Sequence, residues 1–186
     1  SNTDIWTEVA LLNGSQTGEQ FGKSVATSAT GDVIAIGSSD YDNSTGRVLV
    51  YKKVNSSYTL SKTIIGTTEA QFGRSVDLNE DGSILAVGAP GAASRDEVNT
   101  GSSFVYENTS ANTWNLIAVT EGDDADDSTG VSVSLDDVGN TLVVGSSENS
   151  ETSSSSDLNT GYANVYDLNW CTCLLYTSDA ADDGLS

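Results

Sequence analysis

The chain has 186 residues, with 27 acidic side chains against seven basic ones and a formal net charge of −20. That balance excludes nucleic-acid binding, which needs lysine and arginine against phosphate, and disfavours an anionic membrane surface. Histidine, the commonest general base, and methionine are both absent, which argues against an enzyme, and no apolar run reaches the ~18 residues of a membrane-spanning helix.

In chain order, Trp6, Val9 and Leu11 read as an outer strand that ends before Gly14. A first unit then opens on Phe21-Gly22-Lys23-Ser24-Val25, turns at Thr30-Gly31, and runs apolar through Val33-Ile34-Ala35-Ile36 to Gly37. Val48 and Val50 mark its next strand, and Tyr58, Leu60 and Ile64 an outer one that ends before Gly66. A second unit repeats the plan: Phe72-Gly73-Arg74-Ser75-Val76, the turn Asp81-Gly82, Ile84-Leu85-Ala86-Val87 to Gly88, Phe104 with Tyr106, then Trp114, Leu116 and Ala118 before Gly122. A third carries Thr129-Gly130-Val131-Ser132-Val133, the turn Gly139-Asn140, Thr141-Leu142-Val143-Val144 to Gly145, and Ala163 with Val165.

The internal offsets hold across all three units. The glycine that ends the apolar run lies sixteen residues after the patch begins, a second glycine leads a tyrosine by five (Gly46/Tyr51, Gly101/Tyr106, Gly161/Tyr166), and an aromatic leads a third by eight (Trp6/Gly14, Tyr58/Gly66, Trp114/Gly122). Constant offsets mean one supersecondary unit in tandem. Short β-branched runs without polar alternation predict strands buried on both faces, and no window shows helical periodicity. Four antiparallel strands per unit, repeated head to tail, are the blades of a β-propeller. Trp6 and Trp114 are expected as core anchors between blades.

Phe-Gly-x-Ser-Val, a D-G turn, Leu-Ala-Val-Gly-Ala-Pro (Leu85 to Pro90) and Gly-x-x-x-Val-Tyr resemble the FG-GAP repeat, the blade of integrin-α-type propellers. The second unit matches best; the first has Gly37-Ser38-Ser39 for Gly-Ala-Pro, and the third has Thr129 for Phe and Gly145-Ser146-Ser147. The expected fold is all-β, three four-stranded antiparallel FG-GAP-like blades. Residues 1–14 are assigned to the outer strand of a preceding or circularly closed blade, 15–66 to blade 1, 67–122 to blade 2, 123–170 to an incomplete blade 3, and 171–186 to a non-native tail. Propellers have about 4–8 blades, so three imply a larger or oligomer-completed ring. The tail assignment rests on Cys173–Asp183, which is similar to a translated transposase-type sequencing adapter; Cys171 and Cys173 therefore support no disulfide or metal.

Antiparallel order places the 1–2 and 3–4 turns at one end of each blade and the 2–3 and 4–1 connections at the other. The variable, acidic 2–3 and 4–1 loops are the expected binding face: Asp40, Asp42, Asp96, Glu97, Asp123, Asp124, Asp126 and Asp127. Many FG-GAP blades hold calcium in the 1–2 turn. Here Asp77, Asn79 and Asp81 offer oxygens at alternate positions, whereas the corresponding loops of the other units are poor in carboxylates. The same Asp-Gly pair equally predicts a type I′ hairpin turn. Four sequons, at Asn13, Asn43, Asn55 and Asn108, are expected in or beside exposed turns and imply glycosylation. The functional expectation is a non-enzymatic extracellular or cell-surface module for adhesion or structural assembly. Its partners would be proteins, glycans or copies of itself. The alternatives are an integrin-like ligand-binding propeller of a larger receptor and an accessory domain of a secreted hydrolase.

Overall fold

The computed structural model describes residues 6–93, 100–110, 112–123, 127–147 and 161–167. The first sheet consists of β1 (Phe21–Thr27), β2 (Val33–Ser38), β3 (Arg47–Val54) and β4 (Ser57–Ile65), in that spatial order. The second repeats it with β5 (Ser75–Leu78), β6 (Ile84–Ala89), β7 (Ser102–Ser110) and β8 (Thr113–Glu121). In the third, β9 (Ser132–Leu135), β10 (Thr141–Ser146) and β11 (Tyr162–Asp167) are paired, again antiparallel, with β11 at the edge among the described residues. These are propeller-like blades in an open row: the first packs on the second and the second on the third, mainly through the inner strands β1, β5 and β9.

The recurring sequence patch is a turn. The Lys23 N–H donates to the Gln20 carbonyl at 3.0 Å with Gly22 at φ 84°, and the bond recurs from Arg74 to Gln71 and from Val131 to Ser128, with Gly73 at 86° and Gly130 at 90°. A positive φ near 80° at the third residue is the type II geometry, which calls for glycine. The hairpin between β1 and β2 closes with Gly31 N–H to Ser28 carbonyl, and its counterparts with Gly82 to Asn79 and Gly139 to Asp136. Only the glycine takes a positive φ there, so Asp81-Gly82 is not the type I′ turn the dipeptide suggests. That turn stands instead between β3 and β4, where Asn55 and Ser56 both have positive φ (48° and 68°).

The main core lies between the first two blades. Val33, Ala35, Val48 and Val50 of the first face Phe72, Leu85 and Val87 of the second. The Phe72 ring sits 5.5 Å from Phe104 and meets Tyr106 edge-on at 6.3 Å. A second core joins Ile84, Ala86 and Val105 to Leu142 and Val144. The central strands β2 and β6 are buried on both faces, as continuous apolar runs predict, but β10 is not: Val143 is 38% exposed.

Residues 6–14 form no strand. Trp6 is fully exposed, Val9 and Leu11 largely so, and of Trp6 and Trp114 only Trp114 is buried. A strand is stable only on an edge that pairs its amides, and in this chain the segment lies beside the first blade, with Leu12 against the Ile36, Leu49 and Tyr51 cluster, and joins none of the described sheets.

Candidate functional site

The two ends of the blade row differ from the sequence expectation. At the 1–2 turn end, one side-chain acceptor closes every hairpin at the same position. Ser28 Oγ accepts from the Val33 N–H at 3.1 Å, Asn79 Oδ1 from Ile84 at 2.9 Å, and Asp136 Oδ1 from Thr141 at 2.8 Å. The Asp136 carboxyl is held below its usual range, chiefly by the Thr141 amide. Hydrogen bonds from Ser83 lower Asp81 likewise.

Asp77 points across the interface, where its carboxylate takes the Leu135 N–H at 2.7 Å and the Ser134 hydroxyl at 3.2 Å. Asn79 is buried and also donates to the Val138 carbonyl at 3.3 Å, whereas Asp81 Oδ1 takes the Ser83 amide at 2.8 Å. Asn79 and Asp81 share Ser83 as a partner, whereas Asp77 is engaged across the interface, so all three side chains are held by protein hydrogen bonds. No group of three or more His, Cys, Asp or Glu side chains suited to a metal occurs among the described residues. This end is itself acidic: a groove of about 420 Å³ across the three inner strands is lined by Asp77, Glu80, Asp136 and Asp137.

At the loop end, Asp42 is exposed in a left-handed turn where Asp42, Asn43 and Ser44 all take positive φ. Asp123 is exposed as well, whereas Asp127 is buried at 1% and belongs to the frame rather than the surface. It accepts the Tyr162 hydroxyl at 2.7 Å and the Asp123 amide at 3.2 Å. Burial, then this bond, raises the Tyr162 pKa. Asp96, Glu97, Asp124 and Asp126 lie outside the described residues.

The two positions of the Asp127–Tyr162 contact recur in each blade, at the residue two before the turn aromatic (threonine in the third) and the residue one after the second glycine. In the first blade the pair is Glu19–Arg47, an ion pair at 2.5 Å with both side chains buried; the guanidinium also receives the Tyr41 ring at 3.9 Å. In the second, both positions are neutral and buried, Ala70 and Ser102. Sequence reasoning missed this lock, although acid–base, neutral–neutral and acid–phenol pairs at the same two motif positions were its signal.

Between the first and second blades the loop end opens into a polar cleft of about 270 Å³ lined by Gln20, Lys23, Ser39, Asp40, Gln71 and Arg74. Asp40 takes hydrogen bonds from the Gln20 carboxamide and, at 3.3 Å, from the Ser39 hydroxyl. Lys23 and Arg74 occupy the x of the two F-G-x-S-V patches, so the type II turns deliver two of the seven cations to the acidic end. That basic x was legible in the sequence.

Of the sequons, Asn13, Asn43 and Asn55 are exposed in loops and turns. Asn108 is not in a turn: it lies half-buried within β7, opposite Trp114, with its Oδ1 enclosed and unbonded.

No protein-family model matches the chain, and no curated protein matches it. Among solved structures it is similar to Sqt1 of Saccharomyces cerevisiae, at 10% identity and a TM-score of 0.46, over 71% of this chain and 31% of that one. The chain thus spans less than a third of that protein's length, and the fold assignment rests on strand order and blade contacts. By these the chain is an open row of propeller-like antiparallel blades.

Proposed function

We propose that the chain is a non-enzymatic binding module for extracellular adhesion or structural assembly, taking acidic groups of protein or glycan partners in the cleft between its first two blades. One observation carries the reading: Lys23 and Arg74, with two carboxamides and a hydroxyl, line one small polar opening on a rigid frame. Guanidinium and ammonium donors over a carboxylate form the stronger class of hydrogen bond, and Asp40 on the rim selects against a diffuse anionic surface. The blade row supports the reading because loops on a rigid scaffold are positioned before a partner arrives. Exposed Asn13, Asn43 and Asn55 suit glycosylation on the same molecule.

The test is an array of sialylated and neutral glycans with a panel of extracellular-matrix proteins, probed with the intact chain and with K23E/R74E. Binding to carboxylate-bearing members that the variant loses at least tenfold is expected. A wild-type chain that binds none of them, or a double variant that binds equally well, refutes the cleft as the site.

A further inference from the structure

The two blade contacts inside this chain are one interface used twice, and its two halves recur singly on the first and third blades among the described residues. In the first contact, the Ser24 hydroxyl donates to the Gly73 carbonyl at 2.7 Å and the Ala29 amide to the Glu80 carbonyl at 2.8 Å. In the second, Ser75 donates to Gly130 at 2.9 Å and Glu80 to Asp137 at 2.9 Å. Gly37 and Gly88 lie so close to the next blade that any Cβ would strike the carbonyl of Gly73 or Gly130.

Among the described residues, the third blade presents the same donor half with nothing on it. Ser132, the counterpart of Ser24 and Ser75, is exposed, and a Cβ on Gly145 would meet no other blade. Val165 is 69% exposed, although its counterparts Val50 and Val105 are 0% exposed; Val143 stands at 38% against 0% for Ala35 and Ala86.

The first blade presents the acceptor half. Gly22 has the φ of Gly73 and Gly130 but open space beside it. The segment 6–14 already sits there as the outer strand of a preceding blade would. Leu12 occupies the position of Ile64, and a Cβ on Gly14 would approach Phe21 as one on Gly66 approaches Phe72.

We propose that these halves mate between two copies of this chain, the first blade of each docking on the third blade of the other to close a six-bladed ring with two-fold symmetry. A head-to-tail contact closes when its rotation divides the circle, and three sheets from each copy fall within the ~4–8 blades of known rings. Residues 6–14 of the second copy then add to β11 as β4 adds to β3 and β8 to β7. Both internal pairings give one register. Arg47 opposite Ile65 and Ser102 opposite Glu121 place Tyr162 opposite Asn13 of the second copy; Tyr51 opposite Leu60 and Tyr106 opposite Leu116 place Tyr166 opposite its Glu8. The Ser132 hydroxyl meets the Gly22 carbonyl of the second copy. The interface shares the Gly22 turn with the cleft, but V165K touches the interface alone and R74E the cleft alone, so either proposal can fail by itself.

Sedimentation velocity of the full chain, from micromolar to submillimolar, tests the ring. A dimer with strong amide exchange protection across residues 6–14 is expected. V165K, on an exposed side chain, and G22N, at a φ that asparagine tolerates, are each expected to be folded monomers by circular dichroism. Mixed, they retain one intact interface and form a weaker 1:1 complex. R74E keeps the dimer. A wild-type monomer throughout, a dimer that survives V165K, or mixed variants that stay apart would overturn the proposal. A ladder of higher oligomers overturns the closed ring.

Discussion

Gly37, Gly88 and Gly145 hold the same place in their blades, and the consequences of a methyl group differ among them. A Cβ on Gly88 would lie 2.8 Å from the Gly130 carbonyl carbon, and nearer still to its oxygen, where unstrained carbon contacts begin at ~3.5 Å. Backbone stands on both sides, so relief requires the second and third blades to part by about 1 Å, against the close packing of a protein interior. Overpacking of this kind costs ~1–3 kcal/mol, here at the upper end because no rotamer can yield. Removing a glycine from a strand returns roughly 0.5–1 kcal/mol. The net loss for G88A is about 2 kcal/mol, or a fall in Tm of about 4–8 °C at ~2–4 °C per kcal/mol for a chain of this size. G37A is expected to match it, since its Cβ would sit 3.0 Å from the Gly73 carbonyl carbon and also nearer the oxygen. At Gly145 the contacts beyond the Ser132 hydroxyl, which all three sites share in kind, begin at 3.6 Å. G145A should therefore leave Tm within about 1 °C of its parent once the serine cost, common to the series, is subtracted. Thermal and urea unfolding by circular dichroism, in a V165K background that keeps the third blade uncovered, provides the comparison. Equal losses at all three sites, or the largest at Gly145, would refute the docking geometry.

Removing Glu19 strands a buried guanidinium, so E19Q should cost about 3–5 kcal/mol by urea unfolding, whereas E19A/R47S, which copies the neutral pair of the second blade, should recover most of that. Burial pushes Tyr106 from 10.0 to about 12, and raises Tyr51 and Tyr162 in the same direction. A raised tyrosine favours the fold below the unfolded pKa, and that contribution is lost as pH rises through the folded value. Urea midpoints should therefore fall between pH 10 and about 12, and Y106F should flatten that slope; an unchanged slope would remove Tyr106 as its source. N79A leaves the buried Ile84 amide without its acceptor and should cost about 1–3 kcal/mol, with N79S milder because Ser28 does the same work in the first blade. Secretion from a glycosylating host followed by mass spectrometry should find glycan on Asn43 and Asn55 and a bare Asn108, whose place inside β7 denies the acceptor its exposed loop.

The repeat was legible because its glycines answer to local rules. Gly22, Gly73 and Gly130 need a positive φ at one turn position, and that requirement writes itself into the spacing. Strand identity followed from β-branched runs, and Trp114 took its core place. Trp6 carries the same spacing and is fully exposed, because burial depends on a neighbouring blade rather than on local pattern. The polar site was read by charge count alone. Asp127 is buried in an intrablade bond, Asp77 spans an interface, and Asp40 stands among cations; a list of acids does not show which of them the fold has already engaged.

Sequence alone thus determined the repeat unit, its inner strands and its glycine-bearing patch turn, which depend on contacts a few residues apart. It did not determine the state of residues 6–14 or the type of the Asp81-Gly82 turn. Tertiary structure decided which faces are filled. The same valine is sealed at Val50 and Val105 and open at Val165, for burial is a property of two blades together and, among the described residues, the third blade has a neighbour on one side only.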